Sequence, residues 1–185
     1  MTTAIIVAVA LLAVAACLFL VLFNRLVRLR NKVDNAWHQI DVELKRRYDL
    51  LPELAEVVRG YASHEKEVLE SAARARTAAM NANGPGERGP AEDDLTGAVG
   101  VLFGVAEQYP DLKADLGFRD LQGRLITTEN RIAGSRKYYN GAVMYYENAR
   151  RVFPGNIVAG AFPGRFGARQ YFEIVEPEAR QVPGA

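Results

Sequence analysis

The chain has 185 residues, with 23 lysines and arginines against 22 aspartates and glutamates, a formal net charge of +1 and 49% hydrophobic residues. That length accommodates one domain with a real core, the apolar content argues against wholesale disorder, and the balanced charge lacks the basic footprint of a nucleic-acid binder. The single cysteine, Cys17, leaves no disulfide framework and no cysteine-based zinc site within one chain.

The first element is a charge-free run, AIIVAVALLAVAACLFLVLF, from Ala4 to Phe23. At helical rise, about twenty residues match the roughly 30 Å hydrocarbon core of a bilayer, so the run reads as a transmembrane helix. Only Met, Thr and Thr precede it, whereas Arg25, Arg28, Arg30 and Lys32 follow. This one-sided excess predicts an N-out, C-in topology with the following domain in the cytoplasm of a bacterial inner membrane. The same four bases are candidate contacts to anionic lipid, at about 1 kcal/mol each near the surface. A rival reading takes Val14-Ala15-Ala16-Cys17 as a lipobox with Cys17 lipidated. The absence of upstream bases and the continuing LFLVLF favour the span.

Beyond the span, Leu26, Leu29, Val33, Trp37, Ile40, Leu44, Tyr48 and Leu51 recur at steps of three and four, a helical stripe with no Gly or Pro between it and the span. The anchor is therefore expected to continue as one helix into the domain. Pro52 predicts a kink rather than a stop, and the helix is expected to end near Asn81. The stretch NGPGERGP, Asn83 to Pro90, reads as the exposed loop of a helical hairpin and as the best place for an insertion. A shorter helix starts near Asp93 or Asp94, shows Leu95, Val99, Leu102, Phe103 and Ala106 on one face, and stops at Tyr109-Pro110. The last long helix begins around Phe118 and carries a heptad stripe from Leu121 to Phe153. After it the chain is broken by Pro and Gly but remains apolar, which predicts a tail folded back on the helices with one short helix started by Pro154. The fold class is thus all-α: a transmembrane helix (1–23) leading into an antiparallel bundle of long helices (24–175), then a frayed end (176–185).

Chemistry is sparse. His64-Glu65 begins like the zinc-protease helix, but the second ligand position is Val68, and His38 stands apart. Neither a nucleophile elbow nor a phosphate-binding loop occurs, and the many Glu and Asp residues beside Lys or Arg at helical spacing read as solvated ion pairs. No metal, cofactor or small-molecule substrate is expected. Two features stand above background as candidate protein contacts. One is the basic cluster Lys45, Arg46 and Arg47. The other is the outward half of a tyrosine cluster, Tyr138 and Tyr145, whose neighbours Tyr139 and Tyr146 fall on the core-facing stripe.

The block LRNKVDNAWHQIDVELKRRYDLLPELAEVVRGYASHEKEVLE (Leu29 to Glu70), then TENRIAGSRKYYNGAV (Thr128 to Val143), then RVFPGNIVAG and the later QYFE, resemble the LemA family. A departure is Tyr146-Glu147, where the family more often has Tyr-Asn. The resemblance implies a bacterial membrane-anchored helical bundle without an established enzymatic activity, and with some lipoprotein members. Taken with the absent active site, the expected role is a non-enzymatic scaffold or adaptor that binds itself or another membrane protein. The alternative is a homo-oligomer that shapes or organises membrane lipids.

Overall fold

The computed structural model describes residues 1–172, and every element in that range is helical. The end expected to fray, 176–185, lies outside the described residues. Helix α1 (Thr2–Tyr61) runs for 60 residues as one element, so the apolar run does continue into the following domain as one helix, without interruption. Pro52 sits inside it and does not stop it. The chain breaks sooner than the expected end at Asn81, because Gly60 weakens the helix and a turn then closes from the Glu65 amide to the Ala62 carbonyl (3.1 Å). Helix α2 (Lys66–Asn81) resumes after that turn and ends where expected.

The segment Asn83 to Pro90 is not a loop. Helix α3 (Gly84–Gln108) starts inside it. Gly84 takes a positive φ of 70°, which turns the chain, and Pro85 occupies the first helical turn, where its missing N–H costs nothing. Arg88 then ties the turn down by donating to the Ala82 carbonyl (3.2 Å) and pairing with Asp41. A short helix, α4 (Pro110–Ala114), follows the expected stop. Asp115 caps the next helix by accepting the Phe118 amide (2.8 Å), and α5 (Leu116–Arg151) closes with Arg150 and Arg151 at its negative dipole end. The predicted short helix is α6 (Gly155–Ala161), with Pro154 at its N-cap.

The described chain forms two compact units. One comprises Met1–His38 and Tyr138–Arg169; the other comprises Gln39–Lys137 and, among the described residues, 170–172. In the first, Leu26, Val33 and Ala36 of α1 are buried together with Tyr139, Ala142, Val143 and Tyr146 of α5, and with Val158 and Phe166 beyond. Trp37 meets Tyr139 (5.4 Å between rings), while Leu22 and Arg25 line a groove with Val152 and Phe153. Numbers rise along α1 as they fall along α5, so the pair is antiparallel. In the second unit, ion pairs Glu43–Arg131, Arg47–Glu129 and Glu53–Arg124 show the same antiparallel relation of α1 and α5. There α3 runs parallel to α1, through Asp41–Arg88 and Arg47–Glu92, and α2 returns between them. The result is an up-down-up-down bundle with Ile40, Leu54, Leu95, Leu102 and Leu125 at its centre.

The turn from α5 into α6 is tight at Gly155, where an added Cβ would lie 1.9 Å from the Ala149 carbonyl oxygen. Gly155→Ala is therefore expected to displace α6. Hydrogen exchange of the detergent-solubilised protein should show lost amide protection over 155–161, with a stability loss of about 1–3 kcal/mol.

Candidate interface residues and a buried ionic cluster

In the first unit the outward tyrosines and a cation come together. Tyr138 and Tyr145 are seven residues apart on α5, two turns along one face, and remain 48% and 58% exposed. The Lys32 ammonium of α1 lies 5.5 Å from the centre of the Tyr138 ring and 6.0 Å from that of Tyr145. At that range the ring quadrupoles attract the cation and hold three flexible side chains as one exposed patch. Arg25 and Arg28 are exposed as well, and Arg30 pairs with Asp34 one turn on (3.7 Å).

The core-facing tyrosines behave differently. Burial pushes the Tyr139 hydroxyl up to about 12, and Tyr146 donates to the Gly167 carbonyl (2.9 Å). Next to it, Glu147 is only 4% exposed. Burial alone would raise its carboxyl, but donors from Arg150 (2.7 Å) and the Arg169 amide (2.8 Å) outweigh it and hold the group below the usual carboxylate range. The Arg169 guanidinium reaches on to Asp34 (2.7 Å). The segment after α6 is thereby pinned to both α5 and α1.

In the second unit the three expected contact bases part company. Lys45 and Arg46 are exposed, and Arg46 pairs with Glu43 (3.6 Å) at the edge of a groove of about 660 Å³ that also meets Arg119, Arg124 and Arg131. Arg47, expected to offer its charge outward, is 1% exposed and turned into the bundle. It donates to Glu92 of α3 (2.8 Å) and to Thr96 (2.9 Å), and its Nε stands 2.8 Å from Glu129 of α5. That last approach is an ion pair whose N–H is not aimed at the oxygen. The outward role is corrected: the base is spent on bridging three helices. Tyr48 donates to the other Glu92 oxygen, and burial together with that carboxylate drives its hydroxyl well above the ordinary tyrosine value. Burial likewise raises Glu129, against the pull of Arg47, and lowers Arg136, which sits over the Phe172 ring (4.4 Å).

Reading every acid as a solvated partner missed Glu92, which is 0% exposed. The signal was present in the spacing. Extending the α3 face Leu102, Val99, Leu95 one step upstream lands on Glu92, and Arg47 stands three residues after Leu44 and four before Leu51, on the buried side of α1. The two histidines, His38 and His64, are both exposed.

The model of the LemA family matches residues 36–184. Among curated relatives, Protein LemA of Metamycoplasma hominis is 29% identical over 140 residues, covering 74% of this chain and 63% of its own length. Magnetosome proteins MamQ 1 and MamQ 2 of Paramagnetospirillum magneticum are each 24% identical over 177 residues, covering 82% of this chain and 64% of their own length. The chain thus spans a little under two thirds of the length of the curated relatives it matches.

Arg47→Ala should destabilise the protein by roughly 3–5 kcal/mol, since it strands Glu92 in the core, whereas Arg47→Met with Glu92→Met should recover most of the loss; denaturant unfolding measures both. The pH dependence has two opposite arms. The raised carboxyl of Glu129 contributes stability that is complete below 4.5 and is lost as pH climbs through its folded value. The lowered carboxyl of Glu147 contributes stability present above 4.5 and lost as pH falls through its folded value. Melting temperature against pH should show the upper arm flattened in Glu129→Gln and the lower arm flattened in Glu147→Gln.

Proposed function

The chain belongs to the LemA family, and from that membership we propose that it is a non-enzymatic, single-pass membrane scaffold or adaptor. Its helical domain binds itself or another membrane protein on the cytoplasmic face of a bacterial inner membrane. The observation that carries this reading is the exposed Lys32, Tyr138 and Tyr145 patch, in the same unit as an apolar helical run that stays exposed from Ala4 to Val21. Tyrosines pre-oriented by a cation supply large contact area at low entropic cost, which is the composition of an interface hot spot rather than of a solvated helix face. Arg25, Arg28, Arg30 and Lys32, on the C-terminal flank of the run, support a cytoplasmic domain.

A second reading, a homo-oligomer that organises lipid, draws on Arg25 and Arg28, which are exposed immediately after the run. Crosslinking in native membranes, followed by mild-detergent extraction and mass measurement, separates binding of another protein from self-assembly. A stoichiometric second protein indicates an adaptor. A ladder in multiples of the 20.4 kDa subunit indicates self-assembly. The double variant Tyr138→Ala, Tyr145→Ala should leave stability within about 1 kcal/mol and lower the crosslinked yield roughly tenfold. A native protein that emerges monomeric and alone sinks both forms of the proposal.

A further inference from the structure

The chain between Arg151 and Arg165 contains no charged residue: VFPGNIVAGAFPG, thirteen residues, with Arg150-Arg151 on one side and Arg165 on the other. Its inner side is accounted for, since Gly155, Val158 and Ala159 are buried. Its other large apolar side chains stay substantially exposed. Val152 is 62% exposed, Phe153 73%, Ile157 62% and Phe162 41%. Large apolar side chains scattered singly are ordinary on a protein surface, but four of them on one charge-free knuckle form a patch that calls for an apolar partner.

The position of this knuckle along α1 says which partner. Phe162 packs against Phe19 (6.2 Å between ring centres) and edge-on against Phe23 (5.4 Å), and Phe166 meets Phe23 from the other side of the turn (5.3 Å). Both Phe19 and Phe23 belong to the apolar run Ala4–Phe23. A helix of about twenty residues is roughly 30 Å long, equal to the hydrocarbon thickness, so the run has little slack to slide along the bilayer normal. The ring of Phe162 therefore lies at the depth of the last turn of the span, inside the hydrocarbon boundary. The Arg165 guanidinium stands over the Phe23 ring (5.2 Å), and Arg151, 70% exposed and paired with Glu147 (2.9 Å), bounds the segment at its other end, so basic side chains flank it on both sides. Between the span and the knuckle runs a groove of about 260 Å³, apolar at Leu22, Val152 and Phe153 and rimmed by Arg25. It has the polarity of a phospholipid, acyl chain below and anionic phosphate above.

We propose that residues 152–164, including α6, form a second membrane contact: a monotopic knuckle embedded in the same leaflet as the C-terminal end of the span, covered by anionic phospholipid. The protein is then held by a span and a wedge in one unit, and the wedge displaces lipid in one leaflet alone. This inference goes beyond the scaffold reading and rests on α1 being a span.

The test uses the full-length chain in a Cys17→Ala background with single cysteines at Phe153, Ile157 or, in the other unit, the exposed Ile126, each carrying an environment-sensitive fluorophore. The probe membrane is a vesicle of equal parts phosphatidylcholine and phosphatidylglycerol, with and without mid-chain-brominated phosphatidylcholine. Labels at 153 and 157 should emit to the blue of the label at 126, with about threefold stronger quenching by brominated lipid and correspondingly weaker quenching by aqueous iodide. Water-like emission and iodide quenching equal to that at 126, on protein that resists carbonate extraction, overturns the wedge and leaves the span standing. Blue emission quenched by neither reagent means that protein covers the patch, and overturns it too. Protein released by carbonate overturns the span and the wedge together.

Discussion

A buried guanidinium sets the terms for the larger unit. Arg47 is 1% exposed, and a charge in that position is tolerable only when carboxylate and hydroxyl partners replace the water it has lost. Glu92 and Thr96 supply those partners from α3 and Glu129 supplies one from α5. The partners have to stand at the right heights on their helices, so the requirement fixes register in a way that Leu-against-Leu packing does not. A helical slide of one residue that merely reshuffles apolar contacts would separate Arg47 from Glu92. The pair contributes little net stability over an apolar substitute, and its physical effect is selectivity among packings. Tyr48 adds to this by occupying the second oxygen of Glu92, so that the carboxylate has few ways left to be satisfied elsewhere.

The smaller unit uses the opposite sign. Glu147 is the buried charge, and its donors come from the next turn of α5 and from the chain past α6. A carboxylate that collects the Arg169 amide fixes where the chain returns after the turn at Gly155, and Arg169 then reaches Asp34 on α1. The apolar contacts of Phe162 and Phe166 with Phe23 lie within the loop that this anchoring closes. The placement of α6 beside α1 thus depends on polar bonds to satisfied partners as much as on rings touching rings.

The long helices were legible because their stripes extend over many turns, and period is the most robust local signal in a sequence. Alternation within the tyrosine cluster was legible for the same reason: Tyr139 and Tyr146 are buried while Tyr138 and Tyr145 are exposed, as their helical phase requires. The features that escaped are those where a local rule meets a tertiary one. Pro85 and Pro90 read as breakers, yet Pro85 stands in the first turn, where a proline gives up no hydrogen bond, Arg88 with its two partners holds the start of α3 in place, and Pro90 sits inside the helix without ending it. The break after Tyr61 carries only one glycine as its mark, and one glycine is compatible with a continuing helix. Arg47 and Glu92 were read by residue type instead of by phase; both occupy positions where the stripe calls for a leucine. Phase was the better guide.

The same distinction between type and surroundings applies to the basic residues that follow the apolar run. By count there are four, Arg25, Arg28, Arg30 and Lys32. By geometry they are not equivalent. Arg30 shares Asp34 with Arg169, and Lys32 is held over two tyrosine rings, so both cations are engaged within the unit. Among the described residues no carboxylate pairs with Arg25 or Arg28. A screened surface potential acts on charge that is exposed and close, falling away within roughly 8 Å at physiological salt. On the proposed anchoring, the electrostatic hold on an anionic surface would therefore concentrate in Arg25 and Arg28, while Lys32 lends its charge to shaping the aromatic patch. On the proposed membrane-anchored reading, adhesion to lipid and recognition of a protein would then fall to different members of one basic cluster, separated by only two helical turns.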